Sequence, residues 1–430
     1  MPAPSLTPAP TLSAEELAAR RDQAQRDYDA FVARGLSLDL TRGKPSPEQL
    51  DLASGLLAVQ LDHDYRAADG TDTRNYGGLN GLVELRAIFA DALQVPVAQL
   101  VAANNSSLAV MHDCLVHALL SALPGSEGRW VDEPIAFLCP VPGYDRHFAL
   151  CERFGIEMIA VPLTFDGPDM DVVESLVAGD PRIRGIWCVP KHSNPDGTCY
   201  SDETVGRLAA MPTAAGDFRI FWDNAYAVHD LVDKRVEIAD LLAACAAAGN
   251  PDRAFVFGST SKITLAGAGV AFFGASPANV AWYLGHTAKR TIGPDKLNQL
   301  RHVRFLRDRA GLDAHMAAHR ALIAPKFAAV ERILIEQLGG TGLATWSTPK
   351  GGYFVSLDVP AGCAAAVVKR AAEAGVALTP AGSTHPYGND PDDRTIRLAP
   401  TFPSQEDLEL AMAGVATCVR LVGFEQLLGK

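Results

Sequence analysis

The chain of 430 residues lacks several patterns that mark common classes of protein. No segment approaches the roughly 20 apolar residues needed to cross a bilayer, so we expect no membrane span and no membrane partner. Its eight cysteines form no Cys-x-x-Cys pair and lie among apolar or small residues, which predicts reduced thiols in the core. The histidines, among them His112, His192 and His229, lack metal-ligand spacing, and we predict no metal site.

Basic residues are scarce relative to acidic ones. The chain has 38 Lys and Arg against 50 Asp and Glu, a net charge of -12, and the acidic residues are spread along its length. This balance disfavours binding to a phosphate backbone, so we expect no nucleic-acid partner. The opening Met1–Pro10 segment is rich in proline but has neither a basic start nor an apolar block. We therefore predict a flexible arm over residues 1–12 rather than a signal peptide, and a cytoplasmic location.

Two phosphate-binding signatures are missing as well. No Gly-x4-Gly-Lys-Ser/Thr motif occurs, and Gly267-x-Gly269 lacks the remainder of a dinucleotide fingerprint. We therefore expect neither a P-loop nucleotide site nor a dinucleotide site.

The chain contains a regular alternation of helical stretches and short apolar runs from about residue 80 onward. Such runs are typical of buried strands in a mostly parallel sheet that is covered by helices on both faces, and they lie at 136–139, 157–161, 185–189, 219–222, 254–257 and 270–273. A capping box at Ser13 and Glu16 predicts a helix to about Gly35, and a long helix is expected from about residue 300 to Leu338. We predict an α/β protein with an N-terminal helix and loop over 13–50, a large domain over 51–310 and a smaller α/β domain over 311–430.

A lysine stands where one of these buried strands should end. Lys262 follows the apolar run 254–257 and lies among small hydroxyl and glycine residues, which allow backbone N–H groups to approach a phosphate. A lysine after a strand is usually an exposed loop residue, but desolvation at such a site would favour the neutral, nucleophilic amine. We interpret Lys262 as a candidate Schiff-base lysine.

A carboxylate and a phenol occupy a comparable strand end. Asp223 follows the run 219–222, and Tyr226 comes three residues later. Asp223 is a plausible helix N-cap, but a carboxylate beside an apolar strand is costly unless a cation pairs with it, and a pyridinium nitrogen would be such a cation. Amine, acid and phenol together are typical of a pyridoxal phosphate site.

Other candidates follow strands or begin helices. Asn194 lies in Asn-Pro-Asp-Gly197 after the run 185–189, where open α/β sheets bind ligands, although this sequence is also typical of a turn. Ser106 and Ser107 precede an apolar helix and are candidates for phosphate binding. Tyr144 either belongs to a plain turn or stacks on a planar ring. Arg397 is either an edge-strand residue facing water or a bidentate ligand of a substrate carboxylate.

In these segments the chain resembles the fold-type I pyridoxal-phosphate enzymes, and within them the aspartate aminotransferase superfamily. The resemblance covers nearly the whole chain and implies the two-domain α/β fold described above. The residues around Lys262 and Arg397 resemble the bacterial branch that is also grouped with MocR-type aminotransferases. The matching segments occur in the family's order and are Thr41-Arg-Gly-Lys-Pro45, Tyr76-Gly-Gly-Leu-Asn-Gly-Leu82, Glu84-Leu-Arg86, Asn105-Ser-Ser107, Pro142-Gly-Tyr144, Asn194-Pro-Asp-Gly197, Asp223-Asn-Ala-Tyr226, Ser259-Thr-Ser-Lys262 and Arg397.

The resemblance also implies a role for each matching residue. Lys262 would bond to pyridoxal 5'-phosphate (PLP) and move protons, and Asp223 would pair with the pyridinium. The remaining roles are hydrogen bonds to the ring oxygen from Tyr226 and Asn194, phosphate binding by Ser106, Ser107 and Ser259, ring stacking by Tyr144, and α-carboxylate binding by Arg397 with Gly43 and Asn194. Tyr76 would reach the cofactor of a second subunit, which implies a homodimer with shared active sites.

The sequence departs from the family pattern at two positions. Many members carry a phosphate-binding arginine about eight residues after the lysine, whereas this chain has Gly269 and Val270. Lys191 and Arg290 are the candidate substitutes. The arginine that binds a second substrate carboxylate has no secure counterpart, and Arg290 is again the candidate.

These observations predict ping-pong transamination between an L-amino acid and a 2-oxo acid, with aspartate and 2-oxoglutarate as the expected pair. Aromatic amino acids or 2-aminoadipate are alternative substrates. A PLP-dependent lyase or decarboxylase is a second possibility, because the same cofactor chemistry can break other bonds. A ligand-sensing regulator is a third, but we expect no DNA-binding segment in the roughly 35 residues before Gly43.

Overall fold

A computed structural model describes residues 12–126 and 128–429. The predicted arm therefore lies, apart from Leu12, outside the described residues. The α-helices in this part of the chain are α1 Ala14–Val32, α2 Pro47–Asp51, α3 Val83–Leu93, α4 Ser107–Leu120, α5 Asp145–Phe154, α6 Met170–Gly179, α7 Asp202–Ala210, α8 Leu241–Ala247, α9 Pro277–Thr287, α10 Lys296–Leu306, α11 Arg309–Leu338, α12 Ala364–Glu373 and α13 Gln405–Leu427. None of them combines the length and the apolar character that a membrane crossing requires.

The strands in the described part of the chain form three sheets. They are β1 Leu38–Asp39, β2 Leu100–Ala102, β3 Ala136–Val141, β4 Glu157–Thr164, β5 Gly167–Pro168, β6 Ile183–Cys188, β7 Arg219–Asp223, β8 Ala254–Ser259, β9 Ala271–Ala275, β10 Thr345–Trp346, β11 Val355–Asp358, β12 Val376–Ala377 and β13 Thr395–Leu398. The main sheet has eight strands in the order β2-β9-β8-β7-β6-β3-β4-β5. Strands β8, β7, β6, β3 and β4 are mutually parallel, whereas β9, β2 and β5 pair antiparallel. The predicted mostly parallel α/β sheet is confirmed.

The strand order reverses between β6 and β3, which places a ligand crevice at their carboxyl ends. Strands β3 and β4 extend from this point in one direction, and β6, β7 and β8 extend in the other. Side chains on both faces of β3, β6, β7 and β8 are buried, as the apolar runs predicted, whereas β4 has exposed residues. Two hydrophobic cores cover the faces of the sheet. The loops at the carboxyl ends of β3, β6, β7 and β8 therefore lie side by side on a rigid base.

A third hydrophobic core lies outside the main sheet. It joins the antiparallel sheet β10-β11-β13, the helices α11, α12 and α13, and the N-terminal helix α1. The capping box of α1 is present, and Tyr28 and Phe31 on its inner face belong to this core. Strand β1 pairs in parallel with β12, so the segment after α1 is fixed to the same part of the molecule.

The prediction of a single helix from about residue 300 to Leu338 is wrong in one respect. The structure divides it into α10 and α11, and the break falls at Arg307 and Asp308. Arg307 adopts a positive φ of 69°, which ends α10, and the Asp308 carboxylate then caps α11 by accepting from the backbone N–H of Gly311. The cysteine prediction holds for seven of the eight thiols, which are free and buried, whereas Cys199 is free and only partly buried.

Candidate active site

Four neighbouring strand ends bring the predicted residues together. Tyr144 follows β3, Asn194 follows β6, Asp223 ends β7 and Lys262 lies in the turn after β8. They surround a cavity of about 170 Å³. Its lining includes eight of the predicted site residues, which are Ser106, Ser107, Tyr144, Asn194, Asp223, Tyr226, Ser259 and Lys262.

The Lys262 amine lies among aromatic rings. Its Nζ is 5.2 Å from the centre of the Tyr226 ring and 5.9 Å from that of Tyr353. Burial lowers the pKa of Lys262, and the nearby Asp223 carboxylate opposes that shift only in part. A lowered pKa increases the fraction of neutral amine, which is the nucleophilic form.

Asp223 has one paired and one unpaired oxygen. The residue is 3% exposed. Its Oδ2 lies 3.1 Å from Nε2 of His147, whereas Oδ1 is buried and has no hydrogen-bond partner among the described residues. An ionised carboxylate oxygen in such a place is costly without a donor, so the site is built for an additional N–H or cationic group.

His147 is a site residue that the sequence reasoning missed. It lies on α5 three residues after Tyr144, and its ring stacks on Trp187 with centroids 4.3 Å apart and an angle of 10° between the planes. This packing fixes the imidazole that faces Asp223. The local spacing from Tyr144 was the available signal, because residues three apart on a helix lie on the same side.

Polar groups of Asn194 and Tyr226 also belong to the lining of the cavity. Oδ1 of Asn194 is buried, and no described residue donates to it. Burial also raises the pKa of Tyr226 well above its ordinary value, so its phenol keeps its proton. The pKa of Tyr144 is raised for the same reason, with a further contribution from Asp223. The phenols are therefore available as hydrogen-bond donors at neutral pH.

Serine hydroxyls also belong to the lining of the cavity. Ser106 is the N-cap residue of α4, but its side chain makes no capping hydrogen bond, so its hydroxyl and the first N–H groups of the helix are available to an anion. Ser259 Oγ donates to Ser261 Oγ at 3.1 Å, and Ser261 also lines the cavity. Ser261 belongs to the motif that was recognised in the sequence, but it was not assigned a role there.

Arg397 lies beside this cavity rather than in its lining. Its Nη1 donates to Oδ1 of Asp145 at 3.0 Å, and its Nη2 donates to Oγ1 of Thr379 at 3.4 Å. The residue is 7% exposed. Strand β13 is an edge strand, as considered above, but Arg397 is buried rather than facing water. The guanidinium is 5.0 Å from the centre of the Phe354 ring.

Gly43 belongs to the same group of residues because it packs against Phe354. A Cβ at Gly43 would lie 2.0 Å from the Phe354 ring, so only glycine allows this approach. The backbone at Gly43 is thereby brought next to the ring that borders Arg397.

Three predicted residues lie elsewhere. Tyr76 is 77% exposed. Lys191 is buried, and its Nζ donates to Oδ2 of Asp230 at 3.0 Å and to a backbone carbonyl, so this amine is already paired. Arg290 is half-exposed and pairs with Asp113 at 2.8 Å. Within this chain, neither Lys191 nor Arg290 lines the cavity.

The chain is similar over nearly its whole length to known aminotransferases. The family model described as Aspartate amino-transferase matches residues 12–430. A protein of Mycolicibacterium smegmatis that carries the name "Putative aminotransferase" is 57% identical over 97% of this chain and 99% of its own length. An aspartate aminotransferase of Corynebacterium glutamicum is 51% identical over 96% of this chain and 95% of its own. The crystal structure of an aspartate transaminase from that organism superimposes with a TM-score of 0.95 at 51% identity, covering 96% of this chain and 98% of the other.

Proposed function

Because the chain belongs to the aspartate amino-transferase family, we propose that this aminotransferase transfers the amino group of aspartate to 2-oxoglutarate, with PLP as its cofactor. The finer assignment to the bacterial branch that includes MocR-type aminotransferases is part of the same proposal. We also propose that the protein is cytoplasmic and that its domains meet at about residues 50 and 310.

One observation carries the proposal. Lys262 Nζ is a desolvated amine, and Asp223 Oδ1 is a buried carboxylate oxygen that has no hydrogen-bond partner among the described residues. Both residues line a single cavity. The lining thus offers an amine for the aldehyde of PLP and an acceptor for its pyridinium N–H. The hydroxyls of Ser106, Ser107 and Ser259 fit its phosphate, so the residues present fit the group.

When bound, PLP supplies an electron sink that stabilises the negative charge left on the substrate's α-carbon after its proton is removed. Lys262 would hold the cofactor, and its Nζ would accept the proton removed from the substrate's α-carbon. Asp223, itself held by His147, would keep the pyridine nitrogen protonated. Asn194 and Tyr226 would donate hydrogen bonds to the ring oxygen, and Tyr144 would stack on the ring.

The substrate's α-carboxylate is assigned to Arg397 and the backbone at Gly43. The planar guanidinium of Arg397 carries N–H groups that can bind both oxygens of a carboxylate at once. Arg290 remains the candidate for the second carboxylate. Tyr76 is proposed to reach the cofactor of a second subunit in a homodimer, and its 77% exposure leaves the side chain available for that contact.

The test is product analysis with purified protein, PLP, aspartate and 2-oxoglutarate. We expect oxaloacetate and glutamate in equal amounts. Release of ammonia or carbon dioxide would instead indicate a lyase or a decarboxylase. Faster turnover with an aromatic amino acid or 2-aminoadipate would keep the reaction and overturn the donor. Binding to DNA without any turnover would indicate a regulator.

A further inference from the structure

The turn that carries Lys262 is held by side chains from distant parts of the chain. Backbone bonds from Ile263 N and Thr264 N to Thr260 O, each 2.9 Å long, close the turn after β8. The carbonyl oxygens of Lys262 and Ile263 lie outside any helix or strand ladder. Both accept hydrogen bonds from side chains rather than from backbone N–H groups.

The donors come from three separate segments. Lys262 O accepts from Tyr353 Oη at 3.3 Å and from His229 Nε2 at 3.2 Å, and Ile263 O accepts from His315 Nε2 at 2.6 Å. Burial lowers the pKa of His229 to about 3. The ring is therefore neutral at physiological pH, and a carbonyl partner requires that its proton be on Nε2.

Gln49 fixes the direction of the Tyr353 hydroxyl. Its Nε2 donates to Tyr353 Oη at 2.8 Å and to Nδ1 of His319 at 3.1 Å. Its Oε1 accepts from the backbone N–H of Ser46 at 3.1 Å, within the capping box of α2, which sets the orientation of the amide. Because Tyr353 Oη accepts from Gln49, its single proton is left to donate to Lys262 O.

These bonds form one relay from Ser46 through Gln49 and Tyr353 to the backbone of Lys262. Gln49 and Tyr353 are each only 1% exposed, so water does not substitute for a lost member of this buried network.

We propose that Gln49 and Tyr353 are positioning residues, which fix the backbone of Lys262 so that its amine is aimed at the substrate's α-carbon. The inference rests on the proposed function, because it assigns Lys262 the proton transfer. A misplacement of about 1 Å at a reacting group lowers the rate by up to about a hundredfold, so a small movement of this turn is sufficient to slow the reaction.

Tyr353→Phe tests the proposal, because it removes only the hydroxyl. Tyr28→Phe is the matched control, since Tyr28 is 6% exposed and its hydroxyl also donates to a backbone carbonyl, Arg370 O at 3.2 Å, remote from the cavity. In Tyr353→Phe we expect kcat to fall about ten- to a hundredfold with KM for aspartate within about twofold. We also expect a larger kinetic isotope effect with α-deuterated aspartate. Without cofactor, Tyr353→Phe should show faster amide hydrogen exchange in residues 259–266 than the wild type and Tyr28→Phe do.

Gln49→Met removes the donor that orients Tyr353 and provides a second variant. Because the two side chains act through one bond to Lys262, the double variant should lose no more kcat than Tyr353→Phe alone. The proposal is overturned if Tyr353→Phe matches Tyr28→Phe in kcat, isotope effect and exchange. A wild-type chain that neither bound PLP nor transferred amino groups would overturn the proposed function instead, and the exchange comparison would still decide whether these side chains hold the turn.

Discussion

Replacing Asp145 by asparagine should tighten substrate binding. In the structure, Oδ1 of Asp145 accepts a hydrogen bond from Nη1 of Arg397 at 3.0 Å. The α-carboxylate of a substrate must therefore compete with the Asp145 carboxylate for this guanidinium. Asparagine keeps the shape and removes the charge. Thr379 and the Phe354 ring still contact the guanidinium, so Arg397 should keep its place.

The size of the effect follows from the strength and exposure of this pair. A hydrogen bond between charged groups contributes about 1.5–3 kcal/mol, and the 33% exposure of the Asp145 side chain favours the low end of that range. Since about 1.4 kcal/mol corresponds to a factor of ten, we expect the KM for aspartate to fall about tenfold with kcat unchanged within about twofold.

The assay is steady-state kinetics together with the dissociation constant of an unreactive dicarboxylate. Asp180→Asn is the matched control, because Asp180 pairs with Arg182 at 2.7 Å and has a comparable exposure of 27%. Asp180 lies just before the amino end of β6, whereas the cavity lies at the carboxyl ends of the strands. An unchanged or raised KM in Asp145→Asn would refute the competition, and a raised value would show that Asp145 orients Arg397.

Three further outcomes are expected. Asp223→Ala should bind PLP but lose at least about a hundredfold in kcat, and normal turnover would contradict its role as pyridinium partner. Asp230→Asn should lower the free energy of unfolding in urea by about 3–5 kcal/mol, because it leaves the buried Lys191 amine unpaired, and a loss below about 1 kcal/mol would count against this pairing. Burial raises the pKa of Asp230, but His192 and Lys191 outweigh it and lower the value to about 2. The lowered pKa stabilises the folded state by about 2 kcal/mol at a pH above the pKa of an unfolded aspartate, which is near 3.9. This stabilisation is lost as the pH falls through about 2. Urea titrations between pH 5 and 2 should show this loss in the wild type and not in Asp230→Asn.

The sheet and much of the cavity could be predicted from sequence because both depend on local patterns. Short apolar runs mark the buried strands, and the residues at the ends of β3, β6, β7 and β8 become neighbours once those strands are parallel. Asp223 follows such a run directly and Lys262 follows one after four residues, so their meeting in one cavity follows from topology.

Contacts between residues distant in sequence could not be predicted in the same way. The relay joins Gln49 to Tyr353 across 304 positions and Tyr353 to Lys262 across 91, and no spacing within any one segment encodes it. The pairing of Arg397 with Asp145 is of the same kind. The break between α10 and α11 was missed for a different reason, since a single residue with positive φ interrupts a stretch of continuous helical composition.

The most direct test of the proposed chemistry is the absorption spectrum of purified protein with PLP, before and after aspartate, beside a Lys262→Ala variant. We predict that the wild type shows the visible band of PLP bonded to a lysine, that aspartate converts this band to the pyridoxamine form, and that the variant lacks the band. A wild-type band unaffected by aspartate would contradict the proposed donor, and no band in the wild type after addition of PLP would contradict the assignment of Lys262 and of the cofactor.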